Sequence, residues 1–387
     1  MFPANWASQG KRCMEVRAGT AELPVGAKGS GFASLLRLSF NAHGLLLAAA
    51  FVHVAGFAGL HFLVPGMGTK PGGEILFGIM FFSVPAVLFG LTAYLFGEMA
   101  MFDKPDHPIP ALWRRLKAVL GDPQRMANGL PAALALVIFM YVFTMLKAYV
   151  PVINPFSWDQ TFDQWDVALH FGYRPWELLQ PVLGFWPITF LINLNYNMWF
   201  VVMNVFWAYY AFIAKPSAER TRFCLAYVLI WMLGGGVLAV MFSSAGPCYF
   251  TQLGITPDPY APLLAYLNGA NEHAPIWALM TQNMLWDLHA EGSAFGGVSA
   301  MPSMHNATAL LFVLASAGRP RWVRIALGVH CALILIGSVH LGWHYAVDGY
   351  ASMALGLGLW WVTGPIARWW ETTRAVQDYA QAIAARA

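Results

Sequence analysis

Eight apolar runs, each close to the length that crosses a bilayer, constrain this 387-residue chain more than any other feature. A helix needs about 20 apolar residues to cross roughly 30 Å of hydrocarbon. Only 11% of the residues are charged and 58% are hydrophobic. This composition excludes a soluble globule, because soluble domains contain about 25% charged residues. We predict an all-α polytopic membrane protein with spans at 45–65, 75–97, 129–150, 194–214, 223–243, 303–318, 324–342 and 349–367.

The basic residues predict the orientation of these spans. Lys and Arg concentrate in alternate connections, and neither occurs between Phe223 and Gly318. Because cytoplasmic connections retain positive residues, we expect both termini in the cytoplasm. In a bacterium the membrane would be the inner membrane. The net charge of +3 is too small to indicate nucleic-acid binding.

These spans divide the chain into four predicted parts. The parts are a flexible cytoplasmic segment (1–40), two additional spans with a basic loop (41–128), a six-helix core (129–367) and a cytoplasmic tail (368–387). Two long outer loops, 151–193 and 244–301, interrupt the core. Long ordered loops are usually functional.

Two polar segments in the last third of the chain contain the candidate catalytic residues. His305 follows Pro302 and Ser303, which are typical of a helix start. His344 and Asp348 lie four residues apart, where the next span begins. Alternation of the spans brings both segments to one membrane face, and the i,i+4 spacing places His344 and Asp348 on one helical face. An Asp at membrane depth costs about 2.5–3.5 kcal/mol, so its presence there indicates a function.

These residue types suit nucleophilic attack on an anionic substrate with acid–base help. A carboxylate beside an imidazole fixes its tautomer and leaves the other ring nitrogen free to attack. A second imidazole can protonate a leaving group, which typically contributes about 10²–10⁴ in rate. Free backbone N–H groups at a helix N-terminus also favour an anionic substrate.

The two segments resemble the type 2 phosphatidic acid phosphatase superfamily, whose motifs are KxxxxxxRP, PSGH and SRxxxxxHxxxD. Pro302-Ser303-Met304-His305 is similar to the second motif, and His344-x-x-x-Asp348 to the end of the third. The His-Tyr-x-x-Asp form is similar to the inositol phosphorylceramide synthase and sphingomyelin synthase branch. The resemblance implies that His344 is the nucleophile, Asp348 orients it, His305 is the general acid and Ser303 binds a phosphate oxygen. It implies no metal or organic cofactor.

The chain departs from the family pattern in its cations. Ser338 stands where the third motif has Arg, and the spacing match Lys215-x6-Arg222 falls on the predicted cytoplasmic face. We therefore expect Lys147 or Arg174 to bind the phosphate. His340 and Tyr345 are further candidate substrate contacts. A dianionic phosphate needs strong cations, so the loss favours a monoanionic phosphodiester.

The leading hypothesis is a lipid phosphotransferase with an extracytoplasmic site. Its donor is a phospholipid or a lipid phosphate from the membrane, and its acceptor is a ceramide, a glycerolipid or a polyol. With water as acceptor, the same chemistry gives a lipid phosphate phosphatase. A metal- or haem-binding membrane protein is a different class, since His340, His344 and Asp348 repeat at i,i+4,i+8. A transporter of lipid-linked precursors would use the same pocket for binding alone. Oligomeric state is not predicted.

Two other patterns concern the surroundings of the site. Asp159, Asp163 and Asp166, together with Glu177, predict a solvated acidic loop face, with positioning or exclusion of a head group as the alternative. The run Gly234-Gly235-Gly236 predicts close helix packing rather than phosphate binding, because it lies within a span.

Overall fold

The computed structural model describes residues 31–64, 72–293 and 296–386. Over these ranges the chain forms fifteen α-helices of nine or more residues and no β-strand. The helices are α1 (Phe32–Ala42), α2 (Gly44–Leu63), α3 (Gly72–Glu98), α4 (Pro108–Leu120), α5 (Pro123–Ile153), α6 (Asp159–Leu169), α7 (Pro175–Leu183), α8 (Trp186–Ala208), α9 (Ala218–Leu229), α10 (Ala261–Asn271), α11 (Trp277–Ala290), α12 (Met304–Ala315), α13 (Arg321–His340), α14 (Ala346–Glu371) and α15 (Arg374–Ala384).

Six helical segments within these ranges are long and apolar enough to cross a membrane. They are Gly44–Leu63, Pro85–Asp103, Pro123–Ile153, Trp186–Ile213, Ala218–Met241 and Arg321–His340. Helices also occupy the sixth and eighth predicted spans, but α12 has only 12 residues and α14 is not among the six. The all-helical membrane class is therefore supported, and a count of eight spans stays a prediction.

Several helices extend beyond their apolar runs because polar residues and prolines start them. The Asp122 side chain accepts hydrogen bonds from the backbone N–H groups of Gln124 (2.8 Å) and Arg125 (3.4 Å), so α5 begins at Pro123 rather than near 129. Helix α8 begins at Trp186 rather than at 194, with Pro187 in its first turn. The first predicted loop is correspondingly shorter.

Both long connections contain helices of their own. The first holds α6 and α7, and the second holds α10 and α11. Both connections lie at the same end of the helical bundle, which we call the site end. Helix α12 begins at this end, and helix α13 ends there. The basic turn between α12 and α13 lies at the opposite end.

The chain termini contribute a small cluster of their own. Leu35 on α1 and Tyr379 on α15 are fully buried together with Ala127 on α5. Of the segment predicted to be flexible (1–40), residues 1–30 lie outside the described residues, whereas 32–40 belong to α1. This part is helical because its apolar face is buried against α15.

Glycines allow close helix packing beside the cavity described below. A Cβ atom on Gly234 would lie 2.6 Å from Cε of Met304, and one on Gly235 would lie 2.5 Å from Cε2 of Phe143. The predicted close packing at these glycines is confirmed. Gly235, Phe143 and Met304 also line the cavity, so this packing determines the position of its walls.

Candidate active site

The two candidate histidines line one cavity at the site end of the bundle. His305 lies in the first turn of α12, and His344 lies in the connection between α13 and α14. The cavity has a volume of about 380 Å³. Its walls include Lys147 from α5 and the segment Gly297–Ser299 that precedes α12. The fold thus brings together Lys147 and His344, which are 197 positions apart in the sequence.

His344 is paired with Asp348 in a buried environment. Nδ1 of His344 lies 3.3 Å from Oδ2 of Asp348, and the same oxygen accepts a hydrogen bond from the backbone N–H of Tyr345 at 3.1 Å. The relative exposure of His344 is 8% and that of Asp348 is 0%. The backbone carbonyl of Ala300 is a second polar neighbour of the His344 ring. The pair satisfies the requirement that a carboxylate orient one imidazole nitrogen.

The turn that carries His344 is held by its own backbone. The N–H groups of Trp343 and His344 both donate to the carbonyl oxygen of Ser338, each at 3.0 Å. Gly342 has a φ angle of +74°, a conformation that favours glycine. Ser338 therefore has a structural role at the position where the family motif has Arg.

His305 is held between aromatic rings. Its ring centroid lies 3.9 Å from that of Trp199 and 4.6 Å from that of Tyr196. Trp199 is itself fixed by a 2.8 Å hydrogen bond from Nε1 to Oγ1 of Thr308. Neither aromatic residue could be predicted as part of the site, because nothing in the sequence distinguishes them from the other aromatic residues of span four.

Lys147 is the one Lys or Arg among the described residues that line the cavity. Its aliphatic stem packs against backbone, since a Cβ atom on Gly297 would lie 2.8 Å from Cγ of Lys147. No ion pair joins it to a carboxylate within the described ranges. Its side chain can therefore pair with an anionic ligand in the cavity.

Arg174, the other candidate cation, lies elsewhere. Its Nε and Nη2 atoms donate to the two carboxylate oxygens of Asp163 at 2.7 and 3.0 Å. It also lies near Glu177, and it is not among the residues of the cavity wall. Arg222 is also remote, because its guanidinium stacks on Trp360 at 3.8 Å.

The other predicted site residues, His340, Tyr345 and Ser303, are buried and do not line the cavity. Oγ1 of Thr189 lies 2.9 Å from Nε2 of His340. The hydroxyl group of Tyr345 donates to Oδ1 of Asp159 at 2.9 Å. Ser303 is fully buried, adjoins the wall residues Pro302 and Met304, and its hydroxyl group has no partner among the described residues.

The acidic residues of α6 are buried, and the solvated face predicted for them is not observed. Asp159 accepts hydrogen bonds from the N–H groups of Ala245 (3.0 Å) and Gly246 (2.8 Å). Burial raises the pKa of Asp166 to about 7, and it also raises the pKa of Asp159. One signal in the sequence was available, because the buried Phe162 shares the helical face of these carboxylates.

A metal site would need several convergent ligands. Among the described residues, no group of three His, Cys, Asp or Glu side chains is arranged to hold a metal ion. Of the three residues predicted to repeat on one helical face, His340 bonds to Thr189, whereas His344 bonds to Asp348.

Fold and site together define a helical protein of membrane type with a histidine-lined cavity at one end of its bundle. Residues 160–362 match the model of the PAP2 superfamily, and the chain belongs to this superfamily. The matched range contains both histidine segments and begins within α6. Comparison with curated proteins and with solved structures gave no match. Superfamily membership and the membrane-type helices fit a phosphatase-type enzyme that acts on lipids.

Proposed function

We propose that this protein is a lipid phosphotransferase that works through a phosphohistidine intermediate. The observation that carries the proposal is the shared cavity of His305, His344 and Lys147, in which His344 is paired with Asp348. A nucleophile, a general acid and a cation are the groups that transfer of a phosphate ester requires. Tyr345, the neighbour of His344, supports the site through its hydrogen bond to Asp159, whereas His340 bonds to Thr189 outside the cavity wall.

In the first half-reaction, Nε2 of His344 attacks phosphorus and a P–N bond forms. The proton on Nδ1 stays on the ring, because Asp348 accepts it in a hydrogen bond. The bond between phosphorus and the leaving lipid alcohol breaks, and His305 gives its proton to the departing oxygen. The second half-reaction reverses these roles: His305 takes a proton from an acceptor hydroxyl group, whose oxygen attacks phosphorus as the P–N bond breaks.

The charge of the cavity favours a phosphodiester donor. Lys147 supplies a single positive charge, and Gly297 can contribute only backbone atoms to the wall. Its neighbours Val298 and Ser299 also line the cavity. Backbone N–H groups of such a segment can bind an anion when they face it. One cation with neutral donors suits a monoanionic phosphate, as in head-group transfer between lipids.

The cavity wall favours an amphiphilic substrate. Phe200 lines the cavity although its relative exposure is 51%, and Asn197 beside it is also exposed. Both lie on α8, so the cavity reaches the lateral surface of the bundle there. A lipid can place its phosphate at His344 while its chains remain in the bilayer. The distribution of Lys and Arg places this end outside the cytoplasm in our proposal.

The proposal also specifies the acceptor, which is an alcohol rather than water. The His-Tyr-x-x-Asp form favours an alcohol acceptor, as in the inositol phosphorylceramide synthase and sphingomyelin synthase branch. The test is product analysis of the purified protein in nanodiscs, with a phosphodiester lipid and with or without a lipid alcohol. A transferred head group that needs the alcohol is the expected result, whereas release of a water-derived product regardless of the alcohol would refute the transferase and favour hydrolysis.

The nucleophile is tested separately. We expect His344→Asn to abolish turnover and the acid-labile phosphorylated intermediate while lipid binding remains. His330→Asn is the matched control, since His330 bonds to Asn195 on α8 and does not line the cavity. Equal loss in both variants, or a phosphoenzyme in His344→Asn, would contradict the assignment.

A further inference from the structure

Helix α6 presents three carboxylates to the protein interior. Asp159, Asp163 and Asp166 follow each other at i, i+4 and i+7 and therefore share one face of the helix. Their relative exposures are 2%, 8% and 1%. Buried carboxylates need hydrogen-bond partners, and the three find different ones.

Asp166 contacts the start of the helix that carries Asp348. Its Oδ2 accepts from the N–H of Ala346 at 2.7 Å, and its Oδ1 accepts from the N–H of Val347 at 2.9 Å. The first N–H groups of a helix have no partner within the helix. The side chain of the N-cap residue normally accepts from them, but the N-cap here is Tyr345, whose hydroxyl group donates to Asp159. The Asp348 carboxylate is already engaged with His344 and the N–H of Tyr345. Asp166 supplies the missing acceptor from another helix.

Asp159 contacts the same region from a second side. Besides the N–H groups of Ala245 and Gly246, its carboxylate accepts from the hydroxyl group of Tyr345, the residue next to His344. Ala245 lines the cavity. Gly246 packs against the residue before His344, since a Cβ atom there would lie 2.7 Å from the carbonyl oxygen of Trp343.

We propose that α6 positions the catalytic pair, with Asp166 and Asp159 as positioning residues that fix the His344–Asp348 segment relative to the cavity. The proposal rests on the proposed function of His344 as nucleophile. Neither carboxylate lines the cavity, so their removal impairs orientation of the nucleophile more than binding of the substrate. Removal of either carboxylate is therefore expected to lower kcat and to leave KM nearly unchanged.

Asp163 provides an internal control for a purely structural role. It lies on the same face of the same helix, but its carboxylate bonds to Arg174 and to the hydroxyl group of Tyr260 at 2.8 Å. None of these three residues lines the cavity. Asp163→Asn thus makes the same chemical change as Asp166→Asn without touching the catalytic segment.

The experiment compares Asp166→Asn, Asp166→Glu and Asp163→Asn as purified proteins. We expect Asp166→Asn to lower kcat at least tenfold with KM within threefold, and Asp166→Glu to recover part of the loss. Asp163→Asn should lower the melting temperature but leave kcat within threefold. Loss of kcat in both Asn variants in proportion to their loss of stability would overturn the proposal.

A second measurement does not depend on turnover. Diethyl pyrocarbonate modifies imidazoles, and mass spectrometry measures its rate at His344. We expect the rate at His344 to change at least threefold in Asp166→Asn and to stay unchanged in Asp163→Asn; an unchanged rate in both variants would overturn the proposal. If His344→Asn retained turnover, the proposed function would fail, while this rate would still decide whether α6 positions the residue.

Discussion

The charge of Lys147 should stabilise the transferred phosphate. Its removal should lower kcat/KM and raise the melting temperature. The side chain lines the cavity beside both histidines, and its stem packs on Gly297. Lys147→Met removes the charge while preserving most of the side-chain volume. Lys147 is partly buried and no carboxylate in the described part of the chain neutralises it, so its charge costs free energy that an anionic ligand offsets.

The expected loss of activity in Lys147→Met depends on how strongly the partly buried cation interacts with the phosphate. A hydrogen bond to a charged group contributes about 1.5–3 kcal/mol. Coulomb's law gives about 4 kcal/mol for two unit charges 4 Å apart at an effective dielectric constant of about 20, which is an upper limit here. We therefore expect Lys147→Met to lose about 2–3 kcal/mol of transition-state stabilisation, a decrease of about 30- to 150-fold in kcat/KM.

The assay measures kcat/KM for the phosphodiester lipid and the melting temperature of the same preparation. Arg174→Met is the matched control: it breaks the ion pair with Asp163 and should lower stability, while kcat/KM stays within threefold. Lys147→Met should lower kcat/KM and raise the melting temperature. A kcat/KM that stays within threefold in Lys147→Met, or that falls as much in Arg174→Met, would contradict a role of Lys147 in binding the phosphate.

Two further predictions concern the carboxylates. Asp348→Asn should lower kcat by about 10²–10⁴ with little change in KM, because His344 loses the acceptor that fixes its tautomer; steady-state kinetics test this, and wild-type kcat would contradict it. Burial raises the pKa of Asp166 to about 7, so the folded state takes up a proton between pH 8 and pH 6 that the unfolded state does not. Its titratable neighbours include Asp348, which raises this pKa, and His170, which lowers it. Relative to Asp166→Asn, the wild-type protein should therefore gain melting temperature on acidification over this range, while its kcat falls as the carboxylate loses charge; a relative loss of melting temperature would refute the sign.

Both histidine segments could be located from the sequence because their signals are local. Pro302 and Ser303 mark the start of a helix, and His344 and Asp348 are only four residues apart. Alternation of spans then brings the segments to one end of the bundle. The structure agrees with this reasoning, as His305 and His344 line the same cavity.

The choice between two candidate cations could not be made from the sequence. Lys147 and Arg174 both belong to the region of the first outer loop, and spacing does not show which one reaches the site. The decision depends on the approach of Gly297 to α5 and on the pairing of Arg174 with Asp163. Each of these contacts joins two different parts of the fold, so the sequence alone does not show it.

The membrane class, the approximate helical segments and the candidate catalytic residues could all be predicted without a structure. These properties follow from apolar run length, charge distribution and short motifs, which are independent of how the helices pack. The positions of the α6 carboxylates depend instead on contacts that form only when the chain folds. In the sequence Asp166 is a loop acid that favours solvent, because a buried carboxylate is costly. The fold provides the N–H groups of Ala346 and Val347, from 180 positions further along the chain, which offset that cost.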